Sequence, residues 1–249
     1  MKRLRNLMLA LIMVPCVLLL TACGGSDPFA ETASVNTEGN YTTATKAELN
    51  EYLGTTAGYV ENEKTVMDGY RITITGEEEG MSVEANGVFL FGETFADMQI
   101  ALKTVSTYEG QEGGMYIYLV DGVMYMSMEA PGTSVKYKMP LEGDDFENVN
   151  ETFMGDTPNV AQLIEGIVEN DDITVRVAVE GSTKKYEITA LDEFEEEVIT
   201  YLVFENDVLQ GVSVEMEIEG INALVAIQPY SGSIDFPSFS DYAEMPAEF

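Results

Sequence analysis

The 249-residue chain has no histidine, no tryptophan, two cysteines and only 12 lysines and arginines against 44 aspartates and glutamates. Without histidine there is no Ser-His-Asp or Cys-His nucleophile system and no imidazole ligand for a metal. Without tryptophan the usual stacking platform for sugars is missing, although acidic pairs such as Asp171-Asp172 and Glu195-Glu196-Glu197 leave a two-carboxylate glycosidase open by inventory alone. With 44 acidic residues, chance pairs are inevitable, and the chain reads as a non-enzyme. Cationic poverty gives a formal charge of −32 at pH 7. Such a surface repels phosphate polymers and anionic headgroups, which excludes nucleic acid as a natural partner.

Lys2, Arg3 and Arg5 precede a nearly unbroken apolar run from Leu7 to Leu20, interrupted by Pro15. A charged segment and a short apolar run ending in small residues read as a cleaved export signal, because a membrane-spanning helix needs about 20 apolar residues. The run ends in Leu20-Thr21-Ala22-Cys23, followed by Gly24-Gly25-Ser26. These residues resemble the lipobox of bacterial lipoproteins. That resemblance implies a signal peptide over 1–22, cleavage before Cys23, and a covalent diacylglycerol, with or without a further N-acyl chain, on its thiol. The chain would then be lipid-anchored on the extracytoplasmic face of the cell membrane, with no other cofactor. Cys16 lies in the discarded part, so no internal disulfide remains. Loss of Lys2, Arg3 and Arg5 leaves nine cations against the same 44 acids, a net charge of −35.

From Gly24 to about Thr45 the composition is Gly, Ser, Thr, Asn and Glu with few apolar residues, which predicts a flexible tether over 23–45. The remaining 46–249 is long enough for one domain with its own core. Leu49, Tyr52 and Leu53 predict a helix over Lys46 to Val60, weakened by Gly54 and Gly58. Beyond Tyr70 the period becomes two. Tyr70, Ile72 and Ile74, then Met98, Ile100 and Leu102, predict strands, and Asn86-Gly87 and Asp121-Gly122 have the composition of two-residue hairpin turns. The segment from Tyr70 to Met139 reads as an antiparallel meander.

Asp144 with Glu147, and Thr157-Pro158 ahead of an apolar stripe from Val160 to Val168, predict a helical insertion. Asp144, Asp145, Glu147 and Asn148 lack the spacing of a calcium-binding loop and read as helix capping. Strand patterning resumes at Ile173 and continues through Tyr186, Ile199 and Val212, where Ser213, Glu215, Glu217 and Glu219 make the opposite face acidic. Ser182-Thr183-Lys184-Lys185 matches a Ser-x-x-Lys pattern but sits beside Gly181 between strand runs, and a hairpin turn explains it. The expected fold is α+β: a single curved, mostly antiparallel sheet of about eleven strands, an incomplete barrel, covered by a few helices.

In the hairpin from Met115 to Met128, a turn at Asp121-Gly122 sets Leu119 opposite Met124, Ile117 opposite Met126 and Met115 opposite Met128 on one side, with Tyr116, Tyr118 and Tyr125 on the other. Alternate methionines make a soft wall that conforms to varied apolar shapes. The competing account is that the same wall packs beneath the helix at Val160 to Val168.

The lipobox, tether, N-terminal helix, interrupted meander and closing Ile234-Asp235-Phe236-Pro237-Ser238-Phe239 together resemble the LolA-like and LppX/LprG-like lipoproteins. The resemblance covers most of 46–240 and is one of pattern. It implies acyl chains held between sheet and helices, and a function in binding or transferring a lipid or other apolar ligand. The alternative is a non-catalytic envelope assembly module with a filled core, engaging a basic protein partner through its acidic face.

Overall fold

The computed structural model describes residues 27–60, 69–78, 80–92, 97–108, 110–141, 170, 172–191, 197–218 and 221–245. Cys23 and the leader, the helical insertion around 144–168, and Asp171 and Glu195-Glu196 lie outside these residues. The described elements are β1 (Thr42–Ala44), α1 (Lys46–Val60), β2 (Gly69–Glu78), β3 (Met81–Leu90), β4 (Gln99–Tyr108), β5 (Gln111–Val120), β6 (Val123–Ala130) and β7 (Thr133–Pro140). They continue as β8 (Ile173–Glu180), β9 (Thr183–Leu191), β10 (Glu197–Glu205), β11 (Val208–Ile218), β12 (Ile221–Tyr230) and β13 (Ala243–Glu244).

All 13 strands join one open sheet in the order β1-β8-β9-β10-β11-β12-β2-β3-β4-β5-β6-β7-β13. Two meanders, β2 to β7 and β8 to β12, meet where β12 pairs with β2. Every pairing is antiparallel except that of β13 with β7. The meander expected between Tyr70 and Met139 is therefore present. The two additional strands, β1 and β13, cap the two sheet edges with short pieces of terminal chain, which covers otherwise unpaired backbone groups.

Period-two patterning assigns the two faces. One, the core face, carries Tyr70, Phe89, Ile117, Ile188, Leu202, Phe204, Val212 and Val225 in a single apolar cluster. Helix α1 lies on it, burying Leu49 and Leu53 in that cluster, with the Tyr52 ring 5.1 Å from Phe204 and 5.4 Å from Tyr186. Its start is a capping box: Thr45 Oγ1 accepts from the Glu48 N–H at 3.2 Å, and Glu48 Oε2 accepts from the Thr45 N–H at 2.7 Å. Those bonds hold the Glu48 carboxyl below its usual range. The described residues contain this one helix, and the helical insertion expected around 144–168 lies outside them.

Two expectations are corrected. Asn86-Gly87 is not a turn: β3 runs straight through it, and the chain reverses near Gly80, whose φ is +82°. Asn86 is buried, its Oδ1 accepting from Thr73 Oγ1 at 2.8 Å. A Cβ on Gly87 would come within 3.0–3.2 Å of Phe89, Leu102 and Ile72. The glycine answers a packing demand, not a turn demand. Nor is 27–45 a flexible tether, since it crosses the second face of the sheet as a docked strap. The Ala33 N–H donates to Thr73 Oγ1 at 2.8 Å and the Ser34 N–H to Gln228 Oε1 at 3.0 Å, before Thr42–Ala44 pairs with β8. Polar composition misled here because the strap gains its order from the sheet beneath, not from its own apolar content.

Candidate functional site

Asp121 and Gly122, with φ of 52° and 70°, form the β5–β6 turn, and both left-handed residues match a type I′ hairpin. The resulting register pairs Leu119 with Met124, Ile117 with Met126 and Met115 with Met128, all on the core face. The expected wall therefore exists as one surface, but its burial is graded. At the turn end Leu119 is 1% exposed, Ile117 4% and Met124 5%, all inside the core cluster. Toward the other end Met115 and Met126 are only partly buried against that cluster, and Met128 is half-buried.

Strand β4 extends the wall, pairing Leu102 with Ile117 and Thr104 with Met115. Thr104 is 5% exposed, and its Oγ1 is buried without a hydrogen-bond partner. A buried hydroxyl with nothing to bond is uncommon and costs on the order of 1–3 kcal/mol. Ala85 and Gly113 are the small residues flanking it on the same face, through pairings with Thr104 and Ser106. The alternation Met98-Ile100-Leu102 ended the sequence reading one step short of Thr104. The signal that could have found it is a hydroxyl where the same alternation calls for an apolar residue.

From β3 to β7 the positions alternating onto the core face include no Asp, Glu, Lys or Arg, in a chain with 56 of them. The cations of these strands lie behind, while Lys184 of β9 lies on the core face, over the Tyr52 ring of α1 at 3.9 Å. Lys103 precedes Thr104 but projects to the other face, its Nζ 5.8 Å from the Tyr116 ring centre. Arg71 pairs with Glu31 at 2.5 Å, Lys136 with Asp241 at 2.6 Å and Lys138 with Glu244 at 2.9 Å. Buried Lys185 donates to the Glu38 carbonyl. Each of these acceptors belongs to one of two terminal straps, the N-terminal 27–45 or a C-terminal one over 231–245.

The C-terminal strap adds aromatic contacts. Phe239 stacks on Tyr125 at 3.8 Å and 11°, Phe236 meets Tyr118 at 6.2 Å, and Phe29 of the N-terminal strap meets Tyr116 at 6.0 Å. Burial, with Asp241 beside it, pushes the Tyr242 hydroxyl up to about 12, and burial with Tyr201 beside it does the same for Tyr41. The face read as acidic is thus partly covered: Ser213 is buried, while Glu215 stays exposed. The Ser182-Thr183 stretch is the hairpin expected, with Glu180 paired to Thr183 and Gly181 at a φ of +64°.

Among the described residues no group of three or more acidic or cysteine side chains is placed to hold a metal ion, and no helix is long and apolar enough to cross a membrane. No family model and no curated protein matches the chain. Among solved structures, the S-type phycobiliprotein lyase of Guillardia theta is similar over 71% of this chain and 93% of its own, at 7% identity and a TM-score of 0.17. Superposition at that level assigns neither fold family nor function, and the reading of the protein rests on its own surfaces.

Proposed function

We propose that the protein is a membrane-anchored extracytoplasmic lipoprotein, held by acyl chains on Cys23, that binds an apolar ligand on the core face of β4 to β6. The observation that supports this is the burial gradient along one uninterrupted apolar surface. Leu119 and Met124 are packed, whereas Met115, Met126 and Met128 keep accessible area. Methionine is the side chain best able to reshape around an incoming chain. Among the described residues no cluster of acidic or cysteine side chains is placed to hold a metal, the chain has no histidine, and the proposed role is to hold or pass on a lipid, without catalysis.

A filled core with an acidic partner-binding face is the second reading, favoured by the full burial of Ile117. Met126→Trp separates the two. If the wall receives a ligand, the indole occupies that space, and uptake of a fluorescent fatty-acyl probe falls while the melting temperature holds. If the core is filled, overpacking costs about 1–3 kcal/mol and the melt records it. Anchoring has its own test: Cys23→Ser should abolish metabolic labelling with fatty acid and free the chain from membranes. Continued labelling would refute the lipobox reading.

A further inference from the structure

We infer that the ligand of the methionine wall is an electrically neutral lipid whose uncharged polar head hydrogen-bonds to Thr104. The inference rests on the apolar-ligand reading above and adds the chemistry of the head. Thr104 Oγ1 is buried and unpartnered, on the core face, and level with half-buried Met115. A hydroxyl can donate one hydrogen bond and accept two, so an ester, an alcohol or an amide would satisfy it.

Charge decides between neutral and ionic heads. A carboxylate or phosphate brought onto this face would lose its hydration, and a buried ion without a counter-charge is strongly disfavoured. The core face from β3 to β7 has no cation to offset that loss. The nearest along the chain, Lys103, points through the sheet to Tyr116, while Lys136 and Lys138 are engaged by Asp241 and Glu244 on the far side. The same positions contain no carboxylate, so a cationic amphiphile also lacks a counter-charge. What the surface complements is an apolar lipid with an uncharged hydrogen-bonding head, and diacylglycerol, whose head has two esters and a hydroxyl, is a representative.

The test uses the anchored chain in phosphatidylcholine vesicles carrying a trace of photoactivatable diacylglycerol or, separately, photoactivatable phosphatidylglycerol. Cross-linked peptides are mapped by mass spectrometry. Diacylglycerol should label β4 to β6 severalfold more than phosphatidylglycerol does. Thr104→Val should lower that labelling about twofold to tenfold, the range of one hydrogen bond. It should leave the melting temperature equal or higher, because it removes an unsatisfied hydroxyl. Thr104→Ser, which keeps the hydroxyl, should retain the labelling even if it melts lower.

Equal or stronger labelling by phosphatidylglycerol overturns the neutral-head inference and leaves the apolar-ligand reading standing. Undiminished diacylglycerol labelling in Thr104→Val removes the residue's role. Absence of labelling by either lipid overturns both this inference and the apolar-ligand reading.

Discussion

The two faces of the sheet are held by different kinds of contact. On the core face, Leu49 of α1 and Leu202 and Phe204 of β10 are almost fully excluded from water, and cohesion there is apolar burial at about 25 cal/mol per Å². On the strapped face, two terminal segments lie on aromatic rings and are pinned by lysines and arginines in a chain that has few of either. Surface ion pairs contribute about 0–1 kcal/mol each, so the straps depend chiefly on Phe29, Phe236 and Phe239 while the cations fix their position. The core face therefore governs whether the sheet exists, and the strapped face governs whether its back and edges are covered.

The largest test of that contrast is Phe204→Ala, which removes a fully buried ring packed by Tyr52 and Tyr186. It should cost about 3–5 kcal/mol in urea denaturation and affect the whole domain. Phe239→Ala should cost less, about 1–3 kcal/mol, and should make residues 231–245 the first site of proteolytic cleavage while the core still melts cooperatively. A global collapse in this variant would erase the distinction between the faces.

Gly211→Ala addresses the N-terminal strap. A Cβ there would lie 2.8 Å from Val35 Cγ2 and 3.1 Å from the Ile227 carbonyl oxygen. A cost of about 1 kcal/mol is expected, with faster hydrogen exchange confined to 33–41. Unchanged exchange in those residues would mean that the strap is not seated by that contact.

The smallest effect is that of acid. The bond from Lys136 lowers the Asp241 carboxyl below its ordinary range, so its contribution is full above the unfolded value of about 3.9 and fades as pH falls through the lowered one. Hydrogen exchange at 241–245 should rise in that acid window while the core face stays protected, and Lys136→Met should remove the pH dependence.

Much of the sheet was legible because period two is a strong local signal. Tyr70-Ile72-Ile74, Ile173-Val175-Val177 and the Asp121-Gly122 turn all fall where the alternation and turn chemistry place them. The paired register of the methionine wall followed from that turn alone. The Asn86-Gly87 error has the same local origin, since the dipeptide suits a turn and only the packing of Phe89, Leu102 and Ile72 explains it within a strand.

By itself the amino-acid order determined the strands of the two meanders, helix α1, the shared side of Met115, Met124 and Met126, and the exclusion of histidine chemistry. Each is encoded within a few residues, through side-chain periodicity or the absence of a residue type. The tertiary structure alone decided that 27–45 and 231–245 are straps, that β1 and β13 close the two edges, and that Arg71, Lys136 and Lys138 pair with the straps behind the sheet. It also decided which end of the wall is packed and left the Thr104 hydroxyl, like that of Ser127 on the other face, without a partner. These features join residues up to 194 positions apart, as in the bond between Ser34 and Gln228, and no local period carries such pairings.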